Sequence, residues 1–197
     1  MSYQPLPGSE LAAVVTYLEM RSPPAQDVPP SPLSLKRIES PEPDAYRALF
    51  RLVGAPWLWF SRLIMDDPQL AAIIRHPAIA LYAVIDERDR DVGMLELDFR
   101  EAGQCELSFI GLIPELSGKG HGRWLLAEAV RRAWARDGVA RLHVHTCSLD
   151  HPAALSAYRR SGFTPYKRAI ERFPDPRLLG VLPKDCAPQI PLLGTDA

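Results

Sequence analysis

The stretch SGKGHG at Ser117–Gly122 decides the fold, because it joins an apolar run to an amphipathic helix. The run is Gln104–Ile113 (QCELSFIGLI), whose mixture of β-branched, aromatic and apolar residues predicts a buried strand. Downstream, apolar or small residues recur at the spacing of a helix that packs on a sheet, and Gly138 ends this helix. These residues are Gly122, Leu125, Leu126, Ala129, Val130 and Ala133. The unit is therefore predicted to be a strand, a glycine turn and a helix.

The three alternating glycines predict a turn that binds an anion. Without Cβ atoms, Gly118, Gly120 and Gly122 let backbone N–H groups approach a phosphate, and the free N–H groups of the following helix face the same place. An ordinary surface turn is the alternative. The spacing excludes two other glycine loops. The nucleotide P-loop needs four residues between its first glycine and the Gly-Lys pair, and the dinucleotide fingerprint needs two between its last glycines.

Length and composition predict one domain with appendages. The chain has 197 residues, of which 47% are hydrophobic, and this is enough for a sizeable core. The net charge is −1 with acids and bases interspersed, so we expect neither nucleic acid nor membrane as a partner. Three widely spaced cysteines favour reduced thiols. No segment has the pattern of a signal peptide or a membrane span, so we expect a cytoplasmic protein.

Proline clusters divide the chain into three parts. Residues 1–32 combine a short strand, predicted at Ala13–Met20, with a Pro-rich connector, and residues 174–197 form a Pro-rich C-terminal tail. The strand is expected either to join the sheet or to mediate a contact in a homodimer. Residues 33–173 are predicted to form the main domain. Its predicted strands are 33–38, 78–86, 92–100, 105–113, 140–147 and 163–173, and its predicted helices are 43–53, 59–75 with a break near 66–68, one that starts near 120, and 152–160.

A second informative segment is Leu149–Pro165 (LDHPAALSAYRRSGFTP). A proline in the first turn and Gly162 after the last turn predict a short helix, with Asp150 or His151 as its cap. Tyr158 is then either a core residue with a satisfied hydroxyl or a phenol beside a ligand held between two strands.

Together the two segments resemble the GNAT superfamily of acyl-CoA-dependent N-acetyltransferases. The family's phosphate motif, Gln/Arg-x-x-Gly-x-Gly/Ala, is similar to Ser117–Gly122, with Ser117 in the first position. The second family signature, Asn-x-x-Ala-x-x-x-Tyr-x-x-x-Gly-Phe, is similar to the segment from His151 to Phe163, with His151 in place of asparagine. The resemblance implies an α/β (α+β) fold, with a mixed, mostly antiparallel central sheet flanked by helices and a splayed strand pair at the coenzyme A site.

The resemblance also implies a site for acetyl-CoA as cosubstrate. In the family, amides of the glycine turn hold the coenzyme pyrophosphate, and the pantetheine arm pairs with a splayed strand. Backbone N–H groups near Ile110 and Leu112 would also polarise the thioester carbonyl. The implied binding residues are Ile110, Leu112, Ser117, Gly118, Lys119, Gly120, His121, Gly122 and His151.

The implied reaction transfers an acetyl group to a primary amine of a small molecule or peptide, by direct attack in a ternary complex. An alkylamine arrives as an ammonium ion, so a general base is needed. The resemblance makes Glu106 the first candidate, with Glu96 and Asp98 as alternatives. Strand alternation places Glu106 on the same face as Ile110, and burial there would raise the pKa of Glu106. Tyr158 would protonate the departing thiolate.

The segment HVHTC raises the question of zinc, because His143, His145 and Cys147 alternate along one predicted strand. Side chains two residues apart on a strand are about 7 Å apart, and three of them converge poorly on one tetrahedral ion. We therefore predict no metal. Instead, Leu142 and Val144 are expected to pack in the core, while the histidines face the cleft or a polar seam, with His145 as a candidate proton shuttle.

The acceptor is expected near the early helices, at Ala55–Asp67 (APWLWFSRLIMDD). Trp57 and Trp59 are either stacking partners of the acceptor or core residues. Asp66 and Asp67 either attract a cationic amine or mark a solvated helix boundary. Two other functions fit the same motifs: a non-catalytic acyl-CoA-binding sensor or interaction module, and a nucleotide-binding protein that uses the same glycine turn.

Overall fold

The computed structural model describes residues 3–25 and 27–193. Over these residues a seven-stranded sheet is flanked by helices, so the predicted α/β class is confirmed. The strands are β1 (Glu10–Met20), β2 (Ser34–Arg37), β3 (Ile79–Ile85), β4 (Asp91–Asp98), β5 (Gln104–Leu112), β6 (Arg141–Cys147) and β7 (Thr164–Pro174). The α-helices are α1 (Pro43–Gly54), α2 (Asp67–Ile74), α3 (His121–Trp134) and α4 (Ala154–Arg160).

The sheet has the strand order β2-β3-β4-β5-β6-β1-β7. Neighbouring strands pair antiparallel except β5 and β6, which run parallel, so the sheet is mixed and mostly antiparallel as predicted. The N-terminal strand β1 joins the sheet between β6 and β7, which is one of the two roles expected for it. Because β1 and β2 lie far apart in the sheet, the Pro-rich connector between them has to cross the molecule.

The parallel strands β5 and β6 pair over only three residues, from Gln104 and Arg141 to Glu106 and His143. Beyond this point the strands diverge, although β5 continues to residue 112 and β6 to residue 147. The diverging edges leave backbone N–H and C=O groups without a strand partner, so an extended ligand can pair there. The predicted splayed strand pair is present.

A bulge in β5 changes which residues share a face. Phe109 and Leu107 pair with successive residues of β4, so Ser108 between them has no partner. Such an extra residue interrupts the alternation of faces along the strand. Leu107 and Ile110 therefore both pack in the core beneath α3, whereas Glu106, adjacent to Leu107, points to the opposite face. The expectation that Glu106 and Ile110 share a face is wrong, because it counted the alternation through the bulge.

The two faces of the sheet carry separate cores. On the α3 face, α3 and α4 pack apolar side chains such as Leu125 and Tyr158 against the strands. On the α1 face, α1 and α2 pack Phe50 and Leu70 against β3 and β4. The α1 face of β6 and β1 carries His145, half of whose side chain is exposed.

The chain between α1 and α2 differs from the prediction. Only residues 67–74 of the predicted helix 59–75 are helical, because the preceding residues form turns, one of them closed by a hydrogen bond from Leu63 N–H to Phe60 O at 2.8 Å. The predicted break near 66–68 is the start of α2. Asp66 caps this helix by accepting a hydrogen bond from Gln69 N–H at 2.8 Å, and Asp67 pairs with Arg47 at 2.6 Å. The two acids therefore mark a helix boundary.

The segment after β7 folds around Arg177, whose side chain is almost fully buried. Its guanidinium pairs with Asp175 at 2.7 Å and donates to backbone carbonyls between residues 186 and 190. Leu182 and Ala187 of this segment form a small core with Leu58. The tail therefore supports the chain that carries Trp57 and Trp59.

The three cysteines all lie in the described part of the chain and form no disulfide. Burial raises the pKa of the Cys105 thiol, and it raises the pKa of Cys147 to about 11. Both thiols are therefore protonated at neutral pH. Among residues 3–25 and 27–193, no helix combines the length and the apolar character that crossing a bilayer requires.

Candidate active site

A cavity of about 1150 Å³ lies where β5 and β6 diverge, large enough for a cofactor-sized ligand. Ile110, Gly111 and Leu112 of β5 form one wall, and side chains of α3 and α4 form others. The Pro-rich connector contributes Pro23, Pro24, Asp27 and Pro29 to the lining. The connector that crosses the molecule therefore passes beside this cavity.

The glycine turn lies at the edge of the cavity with the geometry that anion binding requires. Gly118 and Gly120 have left-handed φ angles of 75° and 82°, which other residues adopt at a cost. A Cβ atom added at Gly118, Gly120 or Gly122 would meet nothing within 4 Å, so the space beside the turn is open. Helix α3 begins at His121 without a side-chain cap or an acidic residue in its first turn. The backbone N–H groups of His121 and Gly122 therefore have no protein acceptor among the described residues, and they lie beside the open space.

Most of the predicted coenzyme-binding residues line this cavity. Lys119 and His121 do not, because Lys119 is exposed and the His121 ring turns toward the connector, with Nδ1 3.5 Å from Ser31 Oγ. The predicted residues in the lining are Ile110, Leu112, Ser117, Gly118, Gly120, Gly122 and His151.

Three arginines in the lining were not predicted as site residues. Arg123 follows the glycine turn on α3, Arg131 lies further along α3 and pairs with Glu128 at 2.7 Å, and Arg160 lies at the end of α4. Helical periodicity assigns Arg123 to the solvated side of α3, but it does not distinguish bulk solvent from an open cavity. Arg123 and Arg160 supply positive charge to a site whose glycine turn suits a phosphate, whereas the charge of Arg131 is offset by Glu128.

Tyr158 lies on the α3 face with its ring buried and with an edge-to-face contact to Phe163, whose ring centroid is 5.7 Å away. It also lines the cavity, and no hydrogen bond among the described residues involves its hydroxyl. Burial raises the pKa of Tyr158, and the nearby charge of Asp150 adds to this effect. The phenol therefore stays protonated and its proton is available to a ligand.

Asp150 has contacts that its sequence pattern, which suits a helix cap, does not indicate. Its Oδ2 accepts hydrogen bonds from Thr146 Oγ1 at 2.7 Å and from Cys147 N–H at 2.8 Å. Because Asp150 turns back to β6 in this way, it does not cap α4, and the helix starts at residue 154 instead of 152. Its other oxygen lies 3.4 Å from Trp59 Nε1, and the residue lines the cavity.

Trp59 packs on the α1 face of the sheet, beside Gly111 of β5, where β5 no longer pairs with β6. Its ring lies 3.4 Å from where a Cβ atom of Gly111 would be, and its indole N–H faces Asp150 beyond the end of β6. Trp57 makes an edge-to-face contact with His151, at 5.1 Å between ring centroids. Both tryptophans line the cavity, and Trp59 also packs on Phe109 of the core.

Glu106 lies at the last paired position of β5 and β6, where the strands begin to diverge. It does not line the cavity, and its Oε1 lies 3.5 Å from Nδ1 of His145. This contact lowers the pKa of Glu106 and raises the pKa of His145. The expected upward shift for Glu106 is wrong, because the contact with the imidazole outweighs the effect of burial.

The two alternative carboxylates are held by arginines. Glu96 is completely buried, and it accepts hydrogen bonds from Tyr46 Oη at 2.6 Å and Arg62 Nη2 at 2.7 Å. Asp98 pairs with Arg100 at 2.6 Å. Burial acts to raise the pKa of Asp98, but the hydrogen bonds from Arg100 outweigh it and lower this pKa. Neither carboxylate lines the cavity.

The alternating segment of β6 has the predicted arrangement. Leu142 and Val144 are buried in the core, whereas His143, His145 and Cys147 lie on the other face of the strand, so this prediction is confirmed. Within the described ranges, no group of three His, Cys, Asp or Glu side chains is arranged to hold a metal ion.

Comparison with known proteins places these features in a family context. The model of the acetyltransferase (GNAT) family matches residues 46–163. A GCN5-related N-acetyltransferase from Sphaerobacter thermophilus has a similar fold, with a TM-score of 0.60 and 17% identity over 82% of this chain and 51% of its own. A GCN5-related N-acetyltransferase from Kribbella flavida has a TM-score of 0.54 and 17% identity over 84% of this chain and 60% of its own.

An aminoglycoside acetyltransferase from an uncultured soil metagenomic sample, in complex with trehalose, is also similar. Its TM-score is 0.55 and its identity 18%, over 71% of this chain and 93% of its own. The present chain thus spans only about half of the Sphaerobacter chain and 60% of the Kribbella chain. No curated protein sequence matches it.

Proposed function

Because the chain belongs to the acetyltransferase (GNAT) family, we propose that it transfers an acetyl group from acetyl-CoA to a primary amine of a small molecule or peptide. The transfer occurs by direct attack in a ternary complex. The observation that carries this proposal is the cavity at the diverging strands, which has the glycine turn at its edge and Tyr158 in its wall. An anion site and a protonated phenol beside an unpaired strand edge are what a thioester donor requires.

On the donor side, the turn at Ser117–Gly122 binds the pyrophosphate through backbone N–H groups, and Arg123 adds positive charge. The pantetheine arm pairs with the free edge of β5, between Ile110 and Leu112, and His151 lies beside it. A backbone N–H group of β5 donates to the thioester oxygen, and it stabilises the negative charge that develops there during attack.

On the acceptor side, the ammonium group loses a proton where the strands diverge, and the carboxylate of Glu106 at this point promotes the loss. The neutral nitrogen attacks the thioester carbon, a C–N bond forms, and the C–S bond breaks. Tyr158 donates its proton to the departing thiolate. Direct attack is favoured over an acetyl-cysteine intermediate, because neither Cys105 nor Cys147 lines the cavity, and burial raises the pKa of Cys105 and raises that of Cys147 to about 11.

Thermal unfolding with and without acetyl-CoA tests the donor half of this proposal, with ATP and NAD as controls. Ligand at 100 times its dissociation constant contributes about 2.7 kcal/mol, which raises the melting temperature by roughly 5–10 °C in a chain of this size. Thiol release with a panel of amines then tests the transfer. Stabilisation by acetyl-CoA without thiol release for any amine would favour a non-catalytic acyl-CoA sensor. Stabilisation by ATP instead would favour a nucleotide-binding protein.

A further inference from the structure

The contact between Glu106 and His145 lies at the entrance to the gap between the diverging strands. Glu106 is the last residue of β5 that pairs with β6, and its partner is His143. His145 is two residues further along β6, so it lies on the same face where the strands have already parted. The pair lies on the α1 face and Tyr158 on the α3 face, so they lie on opposite sides of the sheet that the diverging strands open.

The orientation of His145 leaves one ring nitrogen free. Nδ1 lies 3.5 Å from the Glu106 carboxylate, and the ring packs beside Tyr17 with centroids 5.7 Å apart. Half of the side chain is exposed, and no hydrogen bond among the described residues involves Nε2. A carboxylate at Nδ1 holds the neutral ring in the tautomer that carries its proton on that atom, so the lone pair lies on Nε2.

We propose that Nε2 of His145 accepts the proton of the acceptor's ammonium group, and that Glu106 acts through His145 as a positioning residue. This inference rests on the proposed function. The ammonium N–H bond breaks and its proton moves to Nε2, which leaves the lone pair on the amine nitrogen to form the C–N bond. The C–S bond then breaks, and Tyr158 protonates the thiolate. The second proton of the attacking nitrogen returns to the Tyr158 phenolate through solvent, and His145 releases its proton to solvent.

The charges around His145 favour this role for an acceptor that arrives as a cation. The charges of three carboxylates on different elements raise the pKa of His145: Glu106 on β5, which contacts the ring, Asp150 in the turn after β6, and Glu171 on β7. The cations are His143 when protonated, on the same strand, and Lys167, whose Nζ lies 4.9 Å from the Tyr17 ring centroid. The contact with Glu106 raises the pKa of His145 from its ordinary value near neutrality and lowers the pKa of Glu106, which makes the carboxylate the weaker base.

The test compares two amines on the full chain with acetyl-CoA. Benzylamine is protonated at pH 7 and needs a base, whereas methoxyamine is largely neutral and does not. With the His145→Gln variant we expect thiol release to benzylamine to fall by about 100-fold or more, while release to methoxyamine falls much less. His143→Gln, on the same face of β6, is the matched control and should keep both rates. The stabilisation by acetyl-CoA should be unchanged in both variants.

A second readout does not depend on turnover. Nitrogen-15 NMR of the imidazole rings should show the neutral His145 ring protonated on Nδ1, and its pKa should fall when Glu106 is replaced in the Glu106→Gln variant. Equal losses for both amines in His145→Gln, or a His145 pKa that ignores Glu106→Gln, would overturn this assignment and leave the proposed function intact. A wild-type protein that binds acetyl-CoA but releases no thiol with these two amines or with any other amine of the panel would overturn both.

Discussion

Glu106 and Ile110 lie only four residues apart on β5, yet their side chains occupy opposite faces of the sheet. The unpaired Ser108 between them inserts the extra residue that reverses the alternation. One strand therefore presents a carboxylate to the α1 face, where the acceptor is proposed to bind, and an apolar wall to the donor cavity. The bulge lies beside the point where β5 and β6 stop pairing, so the proposed acceptor site and the donor cavity adjoin there.

The glycine turn can be tested with two matched substitutions, Gly120→Ala and Gly138→Ala. Both glycines have left-handed φ angles, 82° and 84°, and neither has atoms within 4 Å of an added Cβ. Each substitution should therefore cost about 1 kcal/mol of unfolding free energy. Only Gly120→Ala should weaken acetyl-CoA binding, by about tenfold or more, because its Cβ obstructs the approach of a phosphate. Calorimetric titration measures the affinity and urea unfolding the stability. Equal affinity in both variants would make the segment an ordinary surface turn.

Substitution of Tyr158 should lower turnover without lowering stability. Tyr158→Phe removes a hydroxyl that has no protein partner among the described residues, so the fold and the affinity for acetyl-CoA should be kept. The rate of thiol release should fall by about 100-fold, since the thiolate loses its proton donor. Tyr46→Phe gives the reverse pattern, because the Tyr46 hydroxyl donates to buried Glu96 at 2.6 Å. This control should lose about 1.5–3 kcal/mol of stability and keep its turnover. An unchanged rate in Tyr158→Phe would remove the residue from the mechanism.

The contact between His145 and Glu106 makes stability depend on pH in a defined window. Folding raises the pKa of His145, so its contribution is fully present below its unfolded pKa of about 6.5 and is lost as the pH rises through the folded value. Folding lowers the pKa of Glu106, so its contribution is present above about 4.3 and is lost as the pH falls through the folded value. The stability lost in His145→Gln should therefore be greatest between about pH 4.3 and 6.5.

The size and sign of this effect can both be checked by urea unfolding at pH 5.5 and pH 8.5. Because the pair is partly exposed, its contribution should stay within about 1 kcal/mol. His143→Gln provides a control of opposite sign, because burial lowers the pKa of His143. Replacing that residue should make the protein relatively more stable as the pH falls below about 6.5. A His145→Gln difference that is the same at both pH values would mean that the contact contributes nothing.

Much of the fold could be predicted because local periodicity determines it. The strand, glycine turn and helix around Ser117–Gly122 appear as predicted, and so does the segregation of Leu142 from His143 on β6. The helix predicted at 59–75 is wrong in its first half, since apolar composition alone does not distinguish the turns at residues 61–63 from a helix. The bulge at Ser108 was also missed, because pairing with another strand determines it.

In the candidate site, too, some features follow from local sequence patterns and others depend on contacts between distant segments. The glycine turn and Tyr158 have local signatures, so their place at the cavity could be anticipated. The contact between Glu106 and His145 joins two strands that are distant in sequence, and no local pattern indicates it. The sequence favours Asp150 or His151 as a helix cap, and only the folded chain brings Asp150 to Trp59. Side-chain contacts that depend on the order of the strands therefore cannot be predicted from local sequence patterns.

The buried pair of Arg62 and Glu96 gives a last prediction, about the chain that carries Trp59. Arg62 is the partner that neutralises a completely buried carboxylate, at 2.7 Å. Arg62→Met leaves that charge uncompensated and should cost about 3–5 kcal/mol of unfolding free energy. The double variant Arg62→Met with Glu96→Gln should recover most of this loss, because the neutral amide still accepts the hydrogen bond from Tyr46. Urea unfolding of the four combinations gives the coupling between the two sites. Arg172→Met, which breaks the more exposed pair with Glu10, should cost much less, whereas additive losses at Arg62 and Glu96 would contradict the pairing.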